Sequence, residues 1–310
     1  MTDLPPVADA PAHKDTGSLR DLIETGFSPS RRWAIGLMGA SAASSVLASC
    51  GGGGAGSGSG ISATTTSSAS SSVSSSSSSS SASASSSSAS GTCTALPEET
   101  NGPYPADGSN SYAGATVNVL TQSGVVRSDI RTSFGTYAGQ ATGVPLVLTI
   151  TVEDSANGCQ PLSGYAVYIW QCTDDGLYSL YSTGVTAQNY LRGVQVTDAN
   201  GQCTFTTVFP GCYTGRMPHI HVEVYATLAS AVHERNARLT TQFAFPTDVS
   251  QTVYNSVSSY SASIRAFNSI SFASDNVFSD DTTAQRTART IALTGNSSDG
   301  YRGTVTCAIA

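Results

Sequence analysis

The chain has 310 residues, of which only 11% are charged, and its formal net charge is −7. The shortage of charge is partly local. Residues 51–92 consist almost entirely of Gly, Ser, Thr and Ala, which cannot bury enough apolar surface to offset the entropy lost on ordering. Lys14 is the only lysine. This composition argues against nucleic acids and anionic membranes as partners, since both bind clustered cations.

The N-terminal residues predict an export signal. Two arginines at 31–32 precede an apolar run at 33–47. That run is too short to span a membrane comfortably but has the length of a signal-peptide core, and the pattern resembles a twin-arginine signal. The run ends in LASC at 47–50, which resembles a lipobox with Cys50 as the lipidated residue. The alternative is a plain signal peptide with an incidental cysteine.

We therefore expect three segments. They are a signal peptide at 1–49, the lipidated Cys50 with a disordered Gly/Ser tether at 50–92, and one folded domain at 93–310. Because such a tether reaches far without fixing orientation, the domain would stand off the membrane and touch it only through the lipid. The expected location is the bacterial cell envelope, as an exported, membrane-anchored lipoprotein.

Strand signals dominate residues 93–310. Segments rich in β-branched and aromatic residues are bounded by Gly, Pro, Asn and Asp, which is typical of short strands joined by turns. The predicted strands cover 144–153, 165–172, 194–197, 202–209, 219–225, 239–245, 290–293 and 301–308. Asn200-Gly201 predicts a hairpin between the strands at 194–197 and 202–209.

One amphipathic helix is predicted at 248–260, with Asp248 as its N-cap and Val249, Val253 and Val257 on one face. Several short strands at hairpin spacing and a single helix predict a mainly β fold. We expect an antiparallel β-sandwich with one short helix and long loops, and a barrel is the alternative.

Six cysteines remain besides Cys50. They are Cys93, Cys159, Cys172, Cys203, Cys212 and Cys307. An even number in an exported domain predicts that most are paired, in up to three disulfides. For any single cysteine the alternative is a buried free thiol.

Two histidines in one predicted strand are the clearest candidates for a metal site. His219 and His221 are two residues apart, so their side chains project from the same face of a strand and converge. A half-buried or surface pair of histidines is the alternative. Glu223 is next on that face but could equally be solvated. His233 follows in a predicted loop, where we expect it to face solvent.

A series of short motifs occurs in a characteristic order. They are TNGPY at 100–104, RSDI at 127–130, AVYIWQC at 166–172, DGLYS at 175–179, LRG at 191–193, TDANG at 197–201 and FPGCY at 209–213, followed by Arg216 and HIH at 219–221. In this order and spacing the motifs resemble those of the intradiol ring-cleavage dioxygenases, which include catechol and protocatechuate dioxygenases. The resemblance is strongest to their exported, stand-alone branch and covers most of residues 93–310.

The resemblance implies one mononuclear Fe(III) per domain. Its protein ligands would be Tyr178, Tyr213, His219 and His221. This chemistry is coherent, because a hard trivalent cation favours anionic oxygen and can ionise a phenol, whose free pKa is about 10. Two phenolates and one hydroxide would neutralise Fe(III), and a neutral centre costs far less to bury than a charged one.

The implied reaction opens a catechol-type ring between its two hydroxyl-bearing carbons, inserts both atoms of O2 and yields a cis,cis-muconate. By the same resemblance, Tyr213 would leave the iron with a proton when the substrate binds. Arg216 would stabilise the charge that builds on the ring. Pro103 and Tyr104 are candidates for the substrate pocket.

Two positions depart from the family's pattern. Gln171 stands where a histidine is common in this branch, and Cys212 stands where a tryptophan is common. A disulfide at Cys212 would alter how freely the adjacent Tyr213 moves.

Two other functions remain open at this point. A tethered surface binding module would use the same β-sandwich with a structural or vestigial metal site. A zinc hydrolase would use His219 and His221. A binding module has no need of all four ligands together with Arg216. We therefore expect a catechol-type small molecule and O2 as partners, with a homodimer as a further possibility and no nucleic acid.

Overall fold

The computed structural model describes residues 92–310. The predicted signal peptide, Cys50 and nearly all of the predicted tether lie outside the described residues. Within 92–310 the strands are β1 (Asp107–Tyr112), β2 (Ala115–Asn118), β3 (Pro145–Asp154), β4 (Gln160–Pro161), β5 (Ala166–Trp170), β6 (Arg192–Val196), β7 (Gln202–Val208), β8 (His219–Tyr225), β9 (Leu239–Ala244), β10 (Ala292–Asn296) and β11 (Gly300–Ile309). The α-helices there are α1 (Thr247–Ser256), α2 (Ser261–Asn268) and α3 (Thr283–Arg289). None of these helices has both the length and the apolar character needed to cross a membrane.

Two sheets enclose the main core and confirm the predicted mainly β sandwich. The first sheet has the order β6-β5-β8-β9 and is antiparallel throughout. In the second sheet, β3 pairs with β11, β7 and β4, and β10 lies outside β11. The shared core includes Leu148 and Ile150 from β3 and Ile220 and Val222 from β8. Buried and half-buried residues alternate along β3, as the period of two requires of a strand with one buried face.

One strand pair is parallel, which differs from the expected antiparallel arrangement. β11 pairs with β3 in parallel over nine residue pairs, from Tyr301 opposite Leu146 to Ile309 opposite Asp154. Two strands joined by a short turn can pair with each other only antiparallel. β3 and β11 lie far apart in the sequence, so no turn imposes that direction on them.

The turn at Asn200-Gly201 is present, but the hairpin predicted from it is wrong. The Gly201 amide donates to the Asp198 carbonyl (3.0 Å), and Gly201 has a φ of +71°. β6, however, pairs with β5, whereas β7 pairs with β3 in the other sheet. The turn therefore carries the chain between the two sheets. Turn chemistry specifies a chain reversal, not the partner of each flanking strand.

The prediction of one helix at 248–260 is confirmed only in part. α1 covers most of that range, but Pro246 occupies its N-cap position and Asp248 lies in the first turn. α2 and α3 were not predicted, because helices of eight and seven residues show little periodicity. α3 does carry a local start signal, a capping box in which Thr282 and Gln285 bond reciprocally.

A single disulfide joins described residues. It links Cys93 to Cys159, whose Cα atoms are 5.8 Å apart, within the range that a disulfide spans. The expectation that most of the six cysteines pair is wrong for the described residues. The free and buried cysteines are Cys172, Cys203, Cys212 and Cys307. Burial raises the pKa of all four thiols, so they pack as small apolar side chains.

Candidate metal centre

Four predicted site residues converge on one point. The donor atoms are the phenol oxygens of Tyr178 and Tyr213 and the Nε2 atoms of His219 and His221. Their separations are 3.4 Å for Tyr178–Tyr213, 3.4 Å for Tyr178–His219, 3.1 Å for Tyr178–His221, 3.2 Å for Tyr213–His219 and 3.1 Å for His219–His221. Ligands bound at about 2.0–2.2 Å to one metal lie roughly 3 Å apart. These four side chains therefore fit around a single ion.

β8 brings the two histidines together because of its alternation. His219 and His221 project from one face of the strand, and Ile220 projects from the other into the sandwich core. Trp170 lies opposite His221 on β5, and its ring stacks on the imidazole with a centroid distance of 4.7 Å and an interplanar angle of 8°. This stacking fixes the plane of the His221 ring.

Tyr178 and Tyr213 come from the β5–β6 and β7–β8 connections, which meet at Gly176. A Cβ on Gly176 (φ +86°) would lie 3.2 Å from the Cys212 carbonyl oxygen and 3.3 Å from Tyr213 Cβ, so this close approach requires glycine. Tyr178 is 1% exposed, and its amide donates to Ser182 Oγ (2.9 Å). Tyr213 is only half-buried. Tyr178 is therefore the more enclosed of the two residues.

Burial and neighbouring positive charge leave both imidazoles neutral. His219 Nδ1 donates to the Met217 carbonyl (2.6 Å), which leaves Nε2 with a lone pair directed at the centre. Burial and, after it, the Arg216 charge lower the pKa of His219 to about 3. Burial and the neighbouring His219 hold the pKa of His221 well below its usual value. Two Nε2 lone pairs 3.1 Å apart repel each other unless a proton or a cation lies between them.

The two phenols also require a cation before they ionise. Burial raises the pKa of Tyr178 well above its usual value and that of Tyr213 to about 12. Without a cation, both phenols are therefore neutral at pH 7. A bound metal ion reverses this preference, because it is the largest local charge and deprotonates oxygen ligands. Two neutral nitrogen donors and two ionisable phenols thus fit a hard, highly charged cation.

Arg216 lies beside this centre with its guanidinium held on two sides. Nε donates to Asp275 (3.1 Å), and the terminal nitrogen Nη2 donates to Gln242 Oε1. Gln242 in turn donates through Nε2 to the Thr100 carbonyl (3.0 Å), which ties Arg216 to the motif at 100–104. The other terminal nitrogen, Nη1, has no acceptor among residues 92–310. It is therefore available to a ligand.

Comparison with known proteins identifies the family. A family model described as Dioxygenase matches residues 128–301, which is more than half of the chain. The chain is also similar to an intradiol ring-cleavage dioxygenase from Tetranychus urticae, with 26% identity and a TM-score of 0.52 over 70% of this chain and 95% of the other. The chain belongs to the intradiol ring-cleavage dioxygenases.

A second solved structure, that of dioxygenase Tetur07g02040, is similar to this chain to the same degree. It is 27% identical, with a TM-score of 0.51 over 70% of this chain and 94% of its own. No curated protein sequence matches the chain. The likeness therefore extends over nearly the whole length of two solved dioxygenase chains.

The motif at 100–104 borders the candidate metal centre. A Cβ on Gly102 (φ +71°) would lie 3.3 Å from His221 Cε1, so the backbone passes directly over the imidazole. The half-buried Tyr104 packs on Tyr178 with a centroid distance of 5.1 Å. Pro103 is exposed. Of the two pocket candidates, Tyr104 thus contacts a donor residue, and Pro103 lies beside it at the surface.

Two other residues considered from the sequence lie outside the donor cluster. Glu223 is fully buried rather than solvated, and it accepts a hydrogen bond from Tyr225 Oη (2.6 Å). Burial and the nearby Asp107 raise its pKa well above the usual value. His233 is half-buried rather than fully exposed, and its Nδ1 accepts from the Arg235 amide (3.3 Å). The expectation that His233 faces solvent is therefore confirmed only in part.

The two departures from the family's pattern have different consequences. Gln171 is buried and donates to the Val208 carbonyl (2.8 Å), so it links β5 to β7 instead of extending the donor set. Cys212 is a free thiol whose amide donates to Ser263 Oγ (2.9 Å). The disulfide considered at Cys212 is absent, so no covalent bond there restrains Tyr213.

Three residues beside the centre were missed from the sequence. Trp170 and Gln242 face His221 from the strands on either side of β8. Correct strand pairing would have found them, because directly opposed residues share a face. Asp275 carries no local signal, since it meets Arg216 from 59 positions further along the chain.

Proposed function

We propose that this protein uses Fe(III) to cleave a catechol-type aromatic diol with O2, releasing a cis,cis-muconate. The iron would be held by Tyr178, Tyr213, His219 and His221. The convergence of their four donor atoms, five of whose six separations are 3.1–3.4 Å, carries the proposal, and membership of the intradiol family supports it. Bound Fe(III) supplies a chelation site for both substrate oxygens and keeps the ring electron-rich for attack by O2.

The two tyrosines divide their roles according to burial. Tyr178 is enclosed and stays in place. Tyr213 is half-buried, and among described residues its hydroxyl hydrogen-bonds only to Tyr178 and His219, so it would turn outward and accept one proton from the substrate. This exchange would keep the centre neutral, because the two protons of the diol leave on one phenolate and on the hydroxide, which departs as water, and the doubly deprotonated diol replaces these two anions. Neutrality matters because an uncompensated buried charge is costly.

Arg216 would stabilise negative charge on the reacting ring through Nη1. Replacing Arg216 by Leu is expected to leave iron content, colour and anaerobic catechol binding intact. Only the O2-dependent step should slow, by about 100- to 1,000-fold, as when one preorganised donor is removed from a charged transition state. Anaerobic titration followed by rapid mixing with O2 measures the two steps separately. Loss of iron in Arg216→Leu would make this arginine structural.

The purified protein tests the function directly. We expect one iron per chain, a red-brown tyrosinate colour, and equal consumption of catechol and O2 with formation of cis,cis-muconate. Stoichiometric zinc in a colourless protein would contradict the proposal and favour a hydrolase. Stoichiometric iron without consumption of any catechol would favour a binding module.

We further propose that the protein is exported and anchored through a lipid on Cys50. The LASC sequence at 47–50 supports this, and the Cys93–Cys159 disulfide suits an oxidising compartment. Cys50→Ser should release the protein from membranes or leave an unprocessed precursor. Unchanged membrane fractionation and unchanged mass would contradict the anchor.

A further inference from the structure

Asp275 is fully buried, and four donors surround its carboxylate. They are Arg216 Nε at 3.1 Å and the backbone amides of Met217 at 2.6 Å, Val277 at 2.8 Å and Phe278 at 3.0 Å. Asp275 lies in the irregular segment between α2 and α3. Its carboxylate thus joins that segment to the turn that precedes the two histidines of β8.

The bond to Asp275 restricts the direction in which Arg216 points. A guanidinium is planar and carries its donors in a rigid fork, so anchoring two nitrogens fixes the third. Asp275 holds Nε and Gln242 holds Nη2, which leaves Nη1 with one direction. Phe278, whose amide Asp275 binds, lies against the same group, with its ring centroid 5.8 Å from the guanidinium carbon.

Asp275 also balances the charge of Arg216. The side chain of Arg216 is 10% exposed and that of Asp275 is not exposed at all. Without a partner, the guanidinium would be a nearly buried cation beside the donor cluster, which is costly. With Asp275 as its partner, Arg216 belongs to a neutral ion pair in the resting centre, before negative charge forms on the substrate.

We propose that Asp275 is the positioning residue for Arg216: it directs Nη1 at the reacting ring and neutralises the guanidinium in the resting centre. This inference rests on the proposed function, in which Arg216 acts on the O2-dependent step.

A double-mutant cycle on the iron-loaded protein tests the positioning. Asp275→Asn should retain iron and anaerobic catechol binding but slow the O2-dependent step about 10- to 100-fold, the usual range for a residue that orients an active-site group. The double variant Arg216→Leu/Asp275→Asn should be no slower than Arg216→Leu, because both changes remove one interaction. If the two substitutions slow the O2-dependent step by independent factors that multiply in the double variant, the inference is overturned.

The Fe(III)/Fe(II) reduction potential supplies a readout besides activity. Asp275→Asn leaves a positive charge beside the iron and should raise the potential, whereas Arg216→Leu leaves a negative charge and should lower it. A role confined to structure would not produce opposite shifts. Shifts of the same sign would therefore overturn the charge-balancing role.

Asp281→Asn is the matched control. Asp281 lies in the same segment, its side chain is 1% exposed, and it pairs with Arg286 and Arg289. It should lower stability without changing the potential or the O2-dependent step. If it reproduces the effects of Asp275→Asn, Asp275 is merely structural and the inference is wrong.

A second variant covers the case in which Asp275→Asn does not fold. Asp275→Glu keeps the charge but displaces it, so the O2-dependent step should slow while the potential stays unchanged. An unchanged O2-dependent step in Asp275→Glu would overturn the positioning. An unaffected Arg216→Leu would instead show that the proposed role of Arg216 itself is wrong.

Discussion

The two faces of β8 are equally buried but built from different chemistry. One face sends Ile220, Val222 and Val224 into the core between the sheets. The other face carries His219, His221, Glu223 and Tyr225 beneath the loops. An apolar face needs only complementary shape, whereas each buried polar atom needs a partner. One side of the strand thus requires close packing, and the other requires hydrogen-bond partners.

Only some of the buried polar atoms on the polar face have hydrogen-bond partners within the protein. The Met217 carbonyl accepts from His219 Nδ1, and Glu223 accepts from Tyr225. His221 Nδ1 is buried without a partner among the described residues, and the two Nε2 atoms face each other. The facing Nε2 atoms distinguish the polar face, because a cation bound between them would relieve their repulsion, whereas Nδ1 of His221 lies on the other side of its ring.

The largest expected effect comes from removing a donor on the polar face. His221→Ala should weaken iron binding by at least about 100-fold and abolish the visible colour, because a ligand is lost outright. Metal analysis and absorbance of the purified variant measure both. Tyr178→Phe should do the same. Tyr190→Phe is the control, since Tyr190 is buried in a separate apolar cluster. Full iron in His221→Ala would contradict the donor set.

Truncating a side chain on the apolar face should lower stability but leave iron binding unchanged. Ile220→Ala, between the two histidines, should lower the free energy of unfolding by about 2–5 kcal/mol, because it opens a cavity in a close-packed core. Iron content and colour per folded protein should remain. Denaturant unfolding and metal analysis check the two halves of this prediction. Loss of iron in the folded variant would show that the two faces are not separable.

The smallest effect concerns the pH dependence of stability at Glu223. Burial and Asp107 raise its pKa, so above the usual carboxyl value the folded state keeps a proton that the unfolded state releases. Stability therefore falls as pH rises from that usual value toward the raised one. Glu223→Gln stays neutral in both states and should flatten the decline. Unfolding curves across this pH range test it, and identical slopes would count against a protonated Glu223.

Much of the centre followed from the sequence alone. The spacing of His219 and His221 predicts two side chains on one strand face, and the structure has that strand at His219–Tyr225. The order of the family motifs picked out Tyr178 and Tyr213 from among 13 tyrosines. The main strands were also predicted, because alternation and turn residues depend on neighbours a few positions apart.

The tertiary structure decided what depends on distant parts of the chain. The pattern around Asn200-Gly201 predicts a turn, but only packing places β6 and β7 in different sheets. Cysteine number does not say which thiols come within bonding distance, and only Cys93 and Cys159 do so among described residues. Asp275 reaches Arg216 across 59 positions. A local pattern reports local energetics, whereas these pairings result from the joint burial of segments that the sequence keeps far apart.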